Sequence, residues 1–163
     1  MGEMKPRKQD KVSLLRLPVI LAATHLALFL ITMFSGLKTA SGGNPLFCVD
    51  LPVSLPLVGH DDTWTVVAVG ILATIWWFFI GQVGWLSKVG KISRTSSAVG
   101  AGVTLLICAA DAYAMISQFV LISREPDFST IDVVIYMFAV ALLAGGLISA
   151  GYAARAVFKS SGS

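Results

Sequence analysis

The sequence predicts an all-α integral membrane protein: an up-down antiparallel four-helix bundle with both termini cytoplasmic. Three observations predict it. Four apolar stretches, at 17–37, 64–86, 98–122 and 131–155, fill most of the 163 residues, and a hydrocarbon core about 30 Å thick needs roughly 20 helical residues to cross it. The chain is 56% hydrophobic and 13% charged, well away from the roughly 45–50% and 25% of soluble domains. The basic residues also sort by side. With the N-terminus inside, Lys5, Arg7, Lys8, Lys11, Arg16, Lys88, Lys91, Arg94, Arg155 and Lys159 are cytoplasmic, and only Lys38 and Arg124 lie outside. Positive flanks resist translocation, so this bias argues for both termini cytoplasmic and for an even number of spans.

Taken in order, residues 1–12 are polar and charged with no apolar period, a cytoplasmic tail. Residues 13–159 form a single four-span domain. The basic tail, the first apolar run and the small-residue patch at 39–43 together resemble a secretory signal. Signal cores are about 7–15 residues, however, and this run is longer, so the first span is expected to remain uncleaved. The outer loop at 38–63 opens with a Ser-Gly-Gly-Asn-Pro turn at 41–45. Its stretch at 46–58 is too apolar for a solvated loop and too rich in proline for a long helix. It is expected in the headgroup region or over the bundle mouth; a lid over a ligand site is the alternative.

The second span has Trp64 and Trp85 near its two ends, where indole rings suit the membrane interface. Between them Trp76-Trp77-Phe78-Phe79 is read chiefly as packing. Thr63 with Asp61 and Asp62, the Thr95-Ser96-Ser97 run, and Ser129 with Asp132 supply cap chemistry before the second, third and fourth spans. In the fourth span Gly145, Ser149 and Ala153 form one small-residue stripe, and Gly146, Ala150 and Ala154 form its neighbour. Such stripes let helices approach closely where hydrophobic gain is small. The contact is expected within the chain, with a second copy as the alternative.

The third span carries the main functional hint. Asp111 lies near its middle, where an ionisable group costs at least about 2.5–3.5 kcal/mol on insertion scales. Thr104, Cys108, Asp111, Met115 and Gln118 recur at spacings of four and three, so they share one helix face. His25 is the other ionisable group within a span, at comparable depth. An Asp111–His25 pair, with Cys108, Gln118 and Thr104 around it, would bind a proton or a cationic ligand. The structural alternative is a sealed polar contact that specifies packing.

Other chemistry lacks its residues. His60 beside Asp61 and Asp62 has no spacing that fixes a metal geometry, and no metal or cofactor is expected. One intramembrane histidine does not supply two axial haem ligands. There is no Cys-x-x-Cys for disulfide exchange, and Cys48 in the outer loop and mid-membrane Cys108 are not expected to bridge unless that loop dips deeply. Phosphate loops and nucleophile motifs are lacking. The net charge of +3 reports topology and contact with anionic lipid rather than nucleic acid. The expected role is a non-enzymatic accessory or scaffold subunit of the cell membrane. Its expected partners are the bilayer and a partner subunit or second copy. A small transporter or ligand-binding bundle centred on Asp111 comes second, and an enzyme acting on lipid or quinone third.

Overall fold

Four long helices account for nearly all of the chain that the computed structural model describes, which is residues 16–35, 50, 53–54, 63–124 and 128–159. They are α1 (Arg16–Ser35), α2 (Thr63–Lys88), α3 (Arg94–Ile122) and α4 (Thr130–Lys159). All four are long and apolar enough to cross a membrane, and no strand occurs among the described residues. The expected tail at 1–12, the turn at 41–45, Cys48 and the cap residues Asp61 and Asp62 lie outside the described residues.

Side-chain neighbours fix the up-down course. His25 of α1 meets Thr74 of α2, with Phe29 against Gly70 above that pair and Pro18 against Gly81 below it, so the two helices are antiparallel. Ser87 of α2 donates to Ser97 of α3 at 3.1 Å just beyond the connecting turn. Cys108 lies against Gly146, and Phe119 stacks edge-on with Tyr136 at 4.9 Å, so α3 and α4 are also antiparallel. The start of α1 and the end of α4 therefore share one end of the bundle, the terminal end; the opposite end carries the α1–α2 and α3–α4 connections.

The packing is uneven. Helices α1, α2 and α4 all touch one another extensively, whereas α3 lies along α4 and only skims α2. Leu21, Leu28, Trp77, Ile80, Ala139 and Leu142 fill the shared core. Their outward neighbours, among them Ile71, Leu106, Ile116, Val140 and Leu147, are exposed apolar side chains. That surface belongs in lipid.

Local chemistry sets the helix ends. Ser129 and Asp132 form a reciprocal capping box, in which the Ser129 N–H and hydroxyl donate to the Asp132 carboxylate at 2.8 and 2.7 Å. The Asp132 N–H returns to Ser129 Oγ at 3.4 Å. The third helix begins earlier than its expected cap run. Ser93 is the N-cap and accepts from the Ser96 N–H, so Thr95, Ser96 and Ser97 lie inside the helix. Ser97 then faces inward to Ser87 rather than capping. Between α2 and α3, Gly90 takes φ 67°, a left-handed position typical of a residue that closes a helix.

The small-residue stripes of α4 lie at its contacts within the chain. Gly145, Gly146, Ser149, Ala150 and Ala153 are all buried. Gly145 accommodates Leu21 of α1, and Gly146 accommodates Cys108 and Trp77. Ser149 reaches α2, where its hydroxyl donates to the Ile80 carbonyl and accepts the Gly84 N–H at 3.0 Å. A Cβ on Gly84 would lie 2.7 Å from the Ser149 Cα, so glycine at this position allows the two backbones to touch.

Candidate functional site

The polar interior is built from all four helices and two residues of the α1–α2 connection, Asp50 and Ser54. His25 stands nine residues after Arg16 and ten before Ser35, so it sits near the middle of α1. Apart from Thr24, the turns on either side of it are apolar, and the imidazole is fully buried. Its Nδ1 is 2.8 Å from Thr74 Oγ1 of α2, and its Nε2 is 2.8 Å from Asp50 Oδ1. Thr74 in turn donates to the Gly70 carbonyl one turn earlier at 2.7 Å, a local bond that a threonine makes readily inside a helix.

Asp50 is the unexpected member. On sequence it is one of several acids in an outer loop, yet it is 0% exposed and so is Ser54. The Ser54 N–H donates to the Asp50 carbonyl at 3.0 Å, closing a single turn. Irregular backbone at membrane depth is tolerated only where protein or water satisfies it, and here it enters between helices. Of the stretch at 46–58, Asp50 and Ser54 are buried, and Asp50 reaches His25 near the middle of α1.

Electrostatics at Asp50 pull in opposite directions. Burial pushes its carboxyl above the ordinary value of 3.8, and the His25 imidazole opposes this, with a smaller contribution from the Trp77 indole N–H. Desolvation is the larger effect. The second oxygen, Oδ2, has no hydrogen-bond partner among the described residues.

The α3 face lies inward as its periodicity requires. Thr104, Cys108, Asp111 and Met115 are buried, as are Ser97 and Ala101 on the same seam, and Gln118 is half-buried. Asp111 is 0% exposed and within electrostatic reach of the Cys108 thiol one turn away. The Cys108 Sγ lies against Gly146 and beside Trp77. Asp111 and His25 thus both occupy the interior, and the direct ring-nitrogen partners of His25 are Thr74 and Asp50.

Thr74 and Asp50 were the residues missed. A threonine in an apolar helix gives no distinctive signal, and an aspartate in a loop does not reveal that the loop folds inward. No group of three or more His, Cys, Asp or Glu side chains that could hold a metal ion occurs among the described residues.

A separate groove of about 460 Å³ opens between α3 and α4, lined by Met115, Ile116, Phe119, Val133, Tyr136, Met137 and Val140. Its lining has no carboxylate, imidazole, amine or thiol, and Tyr136 is its one polar side chain. Compared with known protein families, characterised proteins and solved structures, the chain matches none.

Proposed function

We propose that the chain is a multi-pass protein of the cell membrane with both termini cytoplasmic, serving as a non-enzymatic accessory or scaffold subunit. The observation that carries this reading is how the buried polar groups are used. His25, Thr74, Ser149 and Oδ1 of Asp50 direct their hydrogen bonds to one another or to neighbouring backbone. Bonds of this kind join elements to each other rather than waiting for a substrate. The groove is almost wholly apolar, with the Tyr136 phenol as the one polar side chain in its lining. The concentration of basic residues at the terminal end supports the orientation.

A second reading, a ligand-binding or transport bundle around Asp111, rests on that carboxyl's complete burial near Cys108. Intramembrane acids are costly to keep and often functional. One set of measurements separates the two readings. Full-length tagged protein is extracted in mild detergent and examined by native mass spectrometry, alongside Asp111→Asn. The accessory reading expects a partner membrane protein or second copy retained in fixed stoichiometry, with the Asp111→Asn chain still assembled. A strictly monomeric chain in every gentle detergent and in nanodiscs overturns it. Loss of transport or ligand binding in an Asp111→Asn chain that folds and assembles normally would favour the second reading.

A further inference from the structure

The hydrogen-bond directions around His25 determine how many protons the site holds. Thr74 has one hydroxyl proton, and it is directed to the Gly70 carbonyl at 2.7 Å. Its oxygen therefore accepts from His25, which places a hydrogen on Nδ1. The 2.8 Å contact between Nε2 and Asp50 Oδ1 then needs one further proton between two groups that otherwise meet lone pair to lone pair. That proton makes the pair either imidazolium with carboxylate or imidazole with carboxylic acid. The net charge is zero in both forms.

We propose that His25 and Asp50 form a one-proton site that holds the Asp50–Ser54 turn inside the bundle, and that loss of this proton releases the turn. The proton leaves to solvent, with no other bond made or broken. Without it, the remaining hydrogen on His25 can move to Nε2 only if Thr74 turns its hydroxyl from Gly70 to Nδ1. The interior then retains an uncompensated carboxylate, which is strongly unfavourable there. Returning Asp50 to water relieves that charge.

Among the described residues, the helix interiors do not supply a substitute cation. Within the apolar spans α1 contributes His25 alone, and α2 has no acid or base between Thr63 and Lys88. On α4 the groups between Asp132 and Arg155 are the phenols of Tyr136 and Tyr152, with no carboxylate and no cation. The seam of α3 brings Asp111 and Cys108, groups whose charge is negative or zero. Burial of Asp50 acts in the same direction, favouring the protonated state of its carboxyl. The inference goes beyond an accessory role and stands whether or not a partner subunit exists.

Ser54 reports on the turn because it is fully buried when docked, and Ser54→Cys changes its volume little. The full chain carrying Ser54→Cys, Cys48→Ser and Cys108→Ser is reconstituted in nanodiscs. It is then labelled with a membrane-impermeant thiol reagent from about pH 5 to about pH 8. The same chain with Asp50→Asn serves as reference, since an asparagine amide donates to neutral Nε2 and needs no extra proton. Dividing one rate by the other cancels the thiol's own pH dependence. The expected ratio is near one at the acid end and rises with pH, by up to about tenfold per unit for a single proton. A ratio independent of pH overturns the proposal. Nitrogen NMR of His25 in the unmodified protein provides an independent check if Asp50→Asn does not fold. At acid pH it should show Nδ1 protonated, and an unprotonated Nδ1 there overturns the assignment.

Discussion

Gly84 and Ser149 mark where α2 and α4 come closest, and the contact combines steric fit with two hydrogen bonds from one hydroxyl. Adding a methyl group at Gly84 would press on the Ser149 backbone, which cannot rotate away as a side-chain tip can. Gly84→Ala is expected to destabilise the bundle by about 1–3 kcal/mol, the usual cost of overpacking. Gly102→Ala is its control, because nothing lies within 4 Å of a Cβ built there. It should be neutral or stabilising by up to about 1 kcal/mol through helix propensity. Reversible unfolding of both variants in detergent measures the difference, and equal effects would show that the close approach does not matter. At this scale the sequence was informative where residue type implied geometry. Small residues four apart indicated the packing faces of α4, and a mid-span carboxyl indicated an inward-facing seam on α3. It was uninformative where a bond linked distant segments, as His25 does to Asp50 and Thr74, because no spacing encodes which loop residue returns to which helix.

Between elements, the helices were legible almost to their ends, since length and apolar content decide what can cross a bilayer. The departures have local causes. The third helix starts at Arg94 rather than about 98 because Ser93 accepts the Ser96 N–H, and three consecutive hydroxyl residues masked that earlier cap. The fourth helix was easier to place, since Ser129 and Asp132 have the three-residue spacing of a reciprocal box. Ser129→Ala should cost about 1 kcal/mol. The effect should appear as faster amide exchange in the first turn of α4, with exchange deep in the helix unchanged; uniform acceleration along α4 would mean that Ser129 supports more than a helix end. The α1–α2 connection was the least legible element. Its proline-rich, apolar character suggested burial near an interface, but only the fold shows that Asp50 and Ser54 descend among the helices.

For the molecule as a whole, the core is a three-way contact of α1, α2 and α4, and α3 is held chiefly by α4. The turn between α2 and α3 contributes a left-handed glycine and one serine pair, so continuity of the chain there adds little to the packing. A chain divided at Gly90 and co-expressed as two pieces should reassemble, because α4 retains its contacts with both α1 and α2. Co-purification of the halves through an affinity tag on one of them tests this; halves that never associate would place the stability in the turn. The buried His25 site adds a constraint on how the protein is made. Its partners lie 25 and 49 residues further along the chain, so α1 leaves the ribosome with an imidazole that nothing yet satisfies. A nascent chain halted before Asp50 therefore holds an imidazole with neither of its two partners yet made, in an otherwise apolar helix.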